Sequence, residues 1–186
     1  MSVLDIRVFG DPILRQETTP VGAVTDDIRR LIDDMFETMR TAKGIGLAAP
    51  QVGRIERVAI VDVEGGKQPI VLVNPEVVSS EGSAKAEEGC LSIPDVFGDV
   101  ERPAQVVVRA LDRDGKPFEI PATELLARCL QHEIDHLHGK LFIDYLSVLK
   151  RRAALDKWSK QKDRYPGFIR RLTVEEVAEH HRDEDL

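Results

Sequence analysis

The chain has 186 residues, enough for one domain with a sizeable hydrophobic core. With 42% hydrophobic residues, 32% charged residues and a net charge of −7, its composition excludes a disordered or collagen-like chain. No apolar run approaches the roughly 20 residues of a membrane-spanning helix, and two cysteines are too few for a disulfide framework. Because the first residues also lack the pattern of a secretory signal, we expect a cytoplasmic protein with no membrane contact.

The first predicted element is an amphipathic helix over residues 25–43. Thr25 is a suitable N-cap residue, and Gly44 is expected to end the helix. Apolar side chains recur at helical spacing and predict one buried face: Ile28, Leu31, Ile32, Met35, Phe36 and Met39.

Four strands are predicted to follow as two antiparallel hairpins. The first joins "RVAIVDV" at residues 57–63 to "PIVLVNPEVV" at residues 69–78, across the turn "EGGK". The second joins "AQVVVRALDR" to "KPFEIPA" through Asp114-Gly115, a dipeptide typical of hairpin turns.

A second helix is predicted from about Thr123 to Gly139, in "ATELLARCLQHEIDHLHG". Its apolar face is wide enough for a central position in the fold. A short strand, "KLFIDYL", and a basic helix at residues 147–164 are expected after it. This order of elements predicts an α+β domain in which largely antiparallel sheets pack around the central helix. We expect the domain to span residues 1–165, followed by a charged tail at residues 166–186 in which His180 and His181 are solvated.

Charge is unevenly distributed near the C-terminus. Residues 150–171 contain nine Lys and Arg against two Asp, whereas the last twelve residues contain six acids against one Arg. A basic segment on an acidic protein is usually a solvated helix face, but it can also bind a polyanion.

The second helix contains a pattern typical of metal-dependent hydrolases. His132 and His136 are four residues apart, so both imidazoles stand on one helix face and can bind one divalent metal. Glu133 lies about 100° further round the helix, close enough to serve as a base beside the metal without binding it. The H-E-x-x-H pattern therefore predicts a metal site on this helix.

The third ligand is less clear from spacing. The metzincin pattern requires another histidine where this chain has Phe142, and Asp156 lacks the flanking residues of a thermolysin-like ligand. The two cysteines remain as candidates. Cys90 alone would leave a fourth position open for water, whereas Cys90 together with Cys129 would close a structural site. Spacing alone does not choose between them.

A third motif, "GIGLAAPQVG" at residues 44–53, consists mainly of small residues that allow close backbone approach. Taken alone, it is slightly better explained as a helix end followed by a packed loop. Together, however, "GIGLAAPQ", "EGCLS" and "QHEIDH" resemble the three signature motifs of peptide deformylases, in the same order. The flanking "RVFGDPILRQ" and "LVNPEV" are also similar to that family, so the resemblance extends from about Ile6 to Tyr145.

This resemblance implies a hydrolase that removes the formyl group from the N-terminal formyl-methionine of newly made polypeptides and releases formate. It implies that Cys90, His132 and His136 bind the metal and that Glu133 accepts a proton from water. The oxyanion would be stabilised by the metal, the Gln51 amide and the Leu91 backbone N–H. The family favours Fe²⁺ in the cell, and the same ligands also suit Zn²⁺, Ni²⁺ or Co²⁺.

The resemblance also implies how partners bind. Gly46 and Gly89 would exchange backbone hydrogen bonds with the formyl-methionyl peptide. The methionine pocket would be formed by Ile45, Leu125, Cys129 and the stem of Arg128, although an apolar residue is common at the Arg128 position. The basic helix at residues 150–164 would dock on ribosomal RNA phosphates, and no DNA partner is expected.

Two other functions remain as alternatives. One is a zinc endopeptidase, and the other is a zinc-stabilised binding module in which Cys90, Cys129, His132 and His136 all bind the ion. Independently of function, a carboxylate on a central helix needs a basic partner. We expect Asp135 to pair with Arg102.

Overall fold

The computed structural model describes residues 2–173 and 175–179, so His180, His181 and the rest of the C-terminus lie outside it. In chain order, the helices and strands are β1 (Ile6–Arg7), α1 (Asp26–Thr41), β2 (Gly46–Ala48), β3 (Val58–Val61), β4 (Ile70–Glu81), β5 (Ala84–Cys90), β6 (Ile93–Arg102), β7 (Gln105–Leu111), β8 (Pro117–Thr123), α2 (Glu124–Leu137), α3 (Val148–Ser159) and β9 (Ile169–Arg170).

In the described part of the chain the strands form three sheets, and all the strand pairs are antiparallel. A five-stranded sheet has the order β2-β3-β4-β7-β8, while β5 pairs with β6 and β1 pairs with β9. Both predicted hairpins, β3-β4 and β7-β8, are present. The predicted α+β class with largely antiparallel sheets is confirmed.

The central sheet has a helix on each face. In β3, Val58 and Ile60 belong to the apolar cluster that includes α1, whereas Ala59 and Val61 belong to the cluster that includes α2. Alternate side chains of a strand point to opposite faces, so a strand covered on both sides must be apolar throughout. This explains the continuous apolar run of β3 and gives α2 its central position. A third cluster joins β6 to α3 through Ala154 and Trp158.

The termini of α1 follow the prediction in part. The Thr25 side chain accepts a hydrogen bond from the Ile28 N–H and caps the helix, as predicted. At the other end, Lys43 and not Gly44 adopts the left-handed conformation, with φ of 57°. Gly44 is needed for a different reason, because a Cβ there would lie 2.7 Å from Leu91 Cδ1.

The prediction of a strand at "KLFIDYL" is wrong. Residues Phe142–Tyr145 form a 3₁₀ turn, and the Asp144 carboxylate accepts a hydrogen bond from the Leu141 N–H at 3.0 Å. Phe142 and Ile143 are both buried although they are adjacent, so this segment lacks the alternation of a half-buried strand.

The β5-β6 hairpin was missed as a unit, because β5 is mostly exposed and polar and carries no hydrophobic periodicity. Its pairing with β6 depends on contacts that the local pattern does not record.

Among the described residues, no helix is long and apolar enough to cross a membrane.

Gly139, which follows α2, provides a test of the packing at the end of this helix. It has φ of +70°, and a Cβ there would lie 2.5 Å from the Arg15 carbonyl oxygen. Gly65 has a similar φ of +63° but open space around it. We expect Gly65→Ala to cost about 1–2 kcal/mol through left-handed strain alone. Gly139→Ala should cost about 1–3 kcal/mol more, because the Arg15 backbone must move. Urea unfolding monitored by Trp158 fluorescence measures both, and equal losses would contradict this explanation.

Candidate metal centre and active-site cleft

Three side chains with metal-binding atoms converge where α2 meets the end of β5. The Nε2 atoms of His132 and His136 are 3.2 Å apart, and Cys90 Sγ is 3.3 Å from His136 Nε2. All three atoms lie within 4.8 Å of one another, and no other such group occurs among the described residues. His132 and His136 come from one helix face, as their spacing predicts, whereas Cys90 comes from a different element.

The donor set fits a divalent metal. Two imidazole nitrogens bound to a tetrahedral zinc at 2.0–2.1 Å would be about 3.3 Å apart, close to the separation observed here. Three protein ligands leave one coordination position for water or substrate. Cys129 is not part of the group, since its Sγ points to the Ile45 carbonyl oxygen at 3.5 Å. Burial raises the pKa of the Cys129 thiol, which therefore stays protonated.

Glu88, which was not predicted as a site residue, connects the strand bearing Cys90 to the helix bearing the histidines. Its carboxylate accepts hydrogen bonds from Arg102 at 2.6 and 3.0 Å and from Arg128 at 2.7 Å. It also lies 2.8 Å from His132 Nδ1. Burial opposes ionisation, but the hydrogen bonds from His132 and Arg102 outweigh it and lower the pKa of Glu88 to about 2. The carboxylate is therefore ionised.

This contact orients His132. A histidine that donates its Nδ1–H to a carboxylate presents Nε2 to a metal. The sequence did hold a signal for Glu88, because residues two apart on a strand lie on the same face. An acid two residues before a ligand cysteine is therefore well placed to contact the same centre.

Asp135 pairs with Arg102, as predicted. The Arg102 Nη1 to Asp135 Oδ2 distance is 2.8 Å, and the Tyr145 hydroxyl donates to the same oxygen at 2.7 Å. The Arg102 guanidinium also lies 4.7 Å from the centroid of the Tyr145 ring. Arg102 therefore joins Glu88 on the hairpin to Asp135 on α2.

Arg128 lines the cleft, but its guanidinium group is hydrogen-bonded to other parts of the protein. Besides Glu88, its guanidinium donates to the carbonyl oxygens of Val100 and Ala84, each at 2.8 Å. These contacts fix the side chain between α2 and the β5-β6 hairpin. The charge of Arg128 is thus neutralised within the protein, so that its stem can line an apolar pocket.

Glu133 is buried beside the metal-binding group. Desolvation by burial is the main reason that the pKa of Glu133 rises to about 7, and Glu133 Oε2 has no hydrogen-bond partner among the described residues. Gly46 provides the space for it, because a Cβ at Gly46 would collide with Glu133 Oε1. A carboxyl group with this pKa can both accept and release a proton near neutral pH.

Gln51 is held by both ends of its amide. Its Oε1 accepts a hydrogen bond from the Ala48 N–H at 2.9 Å, and its Nε2 donates to Ser92 Oγ at 3.1 Å. The same nitrogen lies 3.6 Å from Cys90 Sγ. The segment around it is strand β2 followed by a 3₁₀ turn at Ala49–Val52, so the interpretation as a simple packed loop is wrong.

These groups face one cavity of about 670 Å³. The residues from the three motifs and α2 that line it are Ile45, Gly46, Gln51, Gly89, Cys90, Leu91, Leu125, Arg128, Cys129, His132 and Glu133. His136 is 1% exposed and lies beneath them. Five residues from beyond α3, none of which was predicted to belong to the site, also line the cavity: Tyr165, Arg170, Arg171, Thr173 and Glu176.

Phe142 and Asp156, the two positions considered and rejected as the third metal ligand, have other surroundings in the structure. Phe142 is buried and stacks on His132, with ring centroids 6.4 Å apart and an interplanar angle of 20°. Asp156 is exposed on α3. Neither residue belongs to the metal-binding group.

Comparisons with known proteins agree with this geometry. Residues 3–152 match the family model described as polypeptide deformylase. Similar relatives are the peptide deformylases of Alkalilimnicola ehrlichii, 57% identical over 86% of this chain and 91% of the relative, and of Hydrogenovibrio crunogenus, 52% identical over 87% and 96%. Among solved structures, a peptide deformylase from Legionella pneumophila has a TM-score of 0.82 at 50% identity, covering 89% of this chain and all of that one. A Synechococcus elongatus peptide deformylase in complex with actinonin has a TM-score of 0.81 at 45% identity, covering 84% of this chain and 88% of that one. The chain belongs to the polypeptide deformylase family.

Proposed function

We propose that this protein is a metal-dependent peptide deformylase that hydrolyses the N-terminal formyl group of formyl-methionyl polypeptides and releases formate. The observation that carries the proposal is the convergence of Cys90, His132 and His136. Cys90 and His132 line one cavity together with the buried Glu133 and the fixed Gln51 amide. Amide hydrolysis needs this combination of an open metal position, a base and an oxyanion donor.

In this proposal Cys90, His132 and His136 hold the metal. When bound, the metal would polarise the formyl carbonyl and lower the pKa of a water. Fe²⁺ is proposed as the cellular ion, and the same soft and imidazole ligands accept Zn²⁺, Ni²⁺ or Co²⁺. Burial and the neighbouring charges of His132 and Arg102 lower the pKa of His136, which keeps its imidazole neutral and able to bind a metal.

Glu133 is proposed to move the proton. Its pKa of about 7 allows it to accept a proton from water and then pass that proton to the departing amine. The unpartnered Oε2 provides an acceptor on a side chain that is only 4% exposed. Surrounding protein therefore limits exchange of this proton with bulk water.

Gln51 Nε2 and the Leu91 N–H are proposed to donate to the formyl oxygen as negative charge develops there. Gln51 needs little reorganisation, because its Oε1 is already held by the Ala48 N–H. Leu91 directly follows the ligand Cys90 and packs against Gly44. Both donors therefore lie on segments that are packed against each other.

The peptide is proposed to lie as an added strand between Gly46 on β2 and Gly89 on β5. Both residues line the cavity. Ile45, Leu125, Cys129 and the stem of Arg128 would surround the methionine side chain. Ile45 is 41% exposed and Leu125 is 52% exposed, so binding of methionine would bury apolar surface that is otherwise open to water.

The two alternative functions are less well supported. A zinc-stabilised module needs Cys129 as a fourth ligand, and this thiol points to the Ile45 carbonyl instead. An endopeptidase of the considered types needs a third ligand that Phe142 and Asp156 do not supply. The family membership also favours neither.

The decisive experiment measures formate from formyl-Met-Ala and from unformylated Met-Ala, with protein loaded with Fe²⁺ under anaerobic conditions. Formate should appear only from the formylated peptide and only with metal. A chelator should abolish activity but leave the far-ultraviolet circular dichroism largely unchanged, since three apolar clusters support the fold. Unfolding by the chelator would favour the structural module, and cleavage of internal peptide bonds would favour the endopeptidase.

The contact between Glu88 and His132 predicts an effect on metal binding. Glu88→Gln keeps the shape but loses the charge that fixes His132 and neutralises Arg102. We expect metal affinity to fall about 10–100-fold, as is typical when an outer partner of a ligand histidine is lost. Glu87→Gln is the matched control, because Glu87 is exposed and adjacent in the chain. Competition with a fluorescent chelator measures the affinity, and equal affinities in the two variants would refute this role.

The position of Gln51 predicts a turnover effect without metal loss. Gln51→Ala should lower kcat by about 10²–10³ and KM much less, since the donated hydrogen bond strengthens as charge develops. Gln131→Ala is the control, because Gln131 is also buried but donates to the Pro103 carbonyl. Wild-type kcat in Gln51→Ala at full metal occupancy would show that Gln51 only packs.

We further propose that the protein acts in the cytoplasm and docks on ribosomal RNA through residues 150–164. Exposed basic side chains on and just after α3, such as Arg152 and Lys160, support this proposal. Truncation before α3 would be a poor test, because Ala154 and Trp158 are buried in the third apolar cluster. Charge reversal at exposed positions avoids this problem.

The double variant Arg152→Glu/Lys160→Glu should weaken co-sedimentation with ribosomes. The slope of log affinity against log salt should fall by about two, if each side chain contacts one phosphate. Arg30→Glu/Lys67→Glu is the control, with the same charge change at exposed positions elsewhere in the chain. Equal salt slopes for the two double variants would exclude docking through this helix.

A further inference from the structure

The chain beyond α3, which lies past the residues 3–152 that the family model matches, returns to the active-site cleft. Strand β9 pairs with β1, and the Val8 N–H donates to the Phe168 carbonyl at 2.9 Å. The Phe168 ring covers Gly10, where a Cβ would lie 2.5 Å from Phe168 Cε1. Tyr165 stacks on Trp158, with ring centroids 5.7 Å apart and an interplanar angle of 8°.

The segment is also fixed further along. The Glu176 carboxylate accepts from the Thr173 N–H at 2.6 Å, and the Thr173 hydroxyl accepts from the Glu176 N–H at 3.2 Å. Glu179 pairs with Lys43 at 3.0 Å, and Lys43 lies on the other border of the cavity. Residues 165–173 and 175–179 therefore run from the β1 side of the cleft to the loop after α1.

The charges on this segment are not equivalent. Arg170 pairs with Glu176 at 3.3 Å, and its side chain is only 19% exposed. Arg171 is 80% exposed, and its ion pair with Asp5 is long, at 3.8 Å. An exposed pair of this length contributes little, so the Arg171 guanidinium can exchange Asp5 for another carboxylate. Both arginines line the same cavity as Glu133 and Gln51.

We propose that Tyr165, Arg170, Arg171, Thr173 and Glu176 form a wall of the substrate cleft beyond the methionine pocket, and that Arg171 recognises acidic side chains in the residues that follow methionine. This inference rests on the proposed deformylase function. A cavity of about 670 Å³ is within the size range that encloses drug-sized ligands, so it can hold more than one residue of a peptide. In a peptide bound as an added strand, alternate side chains point to opposite walls, so some residues after methionine face this one.

The test uses metal-loaded, full-length protein and formylated peptides with amidated C-termini. Formyl-Met-Ala-Asp-Asp-amide and formyl-Met-Ala-Lys-Lys-amide are compared with formyl-Met-Ala-amide as the reference. The measured quantity is the ratio of kcat/KM for the aspartate peptide to that for the lysine peptide. Ratios are compared for the wild type, Arg171→Glu and the control Arg30→Glu, which reverses an exposed charge on α1.

Arg171→Glu should lower this ratio by about three- to tenfold, mainly through KM, because one exposed attraction is lost and one repulsion is added. The difference should shrink in 0.5 M salt. An unchanged ratio in Arg171→Glu, or an equal change in Arg30→Glu, would overturn the inference. Because the readout is a ratio between formylated peptides, failure of the proposed function would appear separately, as absence of formate from formyl-Met-Ala-amide with the wild type.

Discussion

The proposed metal centre depends on the hydrogen bonds and ion pairs of one buried carboxylate, that of Glu88. It lies on the same strand as Cys90, and it contacts His132, Arg102 and Arg128. Without it, two guanidinium groups would be buried between the hairpin and α2 with fewer partners, at a large desolvation cost. Its negative charge therefore holds together the two elements that bring the cysteine and the histidines within reach of one ion.

Burial explains why this centre is suited to a metal. Sγ of Cys90 and the two Nε2 atoms meet in a space where no charge can be left unbalanced at low cost. Burial opposes protonation of His132, yet its hydrogen bonds with Cys90 and Glu88 raise its pKa well above the usual value. A divalent cation satisfies the same demand for positive charge, and it does so with all three ligand atoms at once.

The central sheet makes the close approach of these groups possible. With α1 on one face and α2 on the other, β2 at the edge of the sheet faces the Glu133 side of α2. Gly46 on that strand leaves room for the Glu133 carboxylate, which any larger residue would displace. The C-terminal segment then adds Arg170 and Arg171 to the border of the cleft, beyond residues 3–152, which the family model matches.

The sequence by itself determined features that depend on neighbouring residues within one helix or turn. The four-residue spacing of His132 and His136 and the Thr25 cap depend only on helix geometry, and the Asp114-Gly115 turn depends on local backbone preference. The tertiary structure decided what joins different elements: the position of Cys90, and not Cys129, beside the two histidines, the partners of Glu88, the exposed polar strand β5 and the return of residues beyond α3 to the cleft. The physical reason is that periodicity fixes which side chains share a face of one element. Contacts between elements depend on the register and packing of the whole fold, which no single stretch of sequence records.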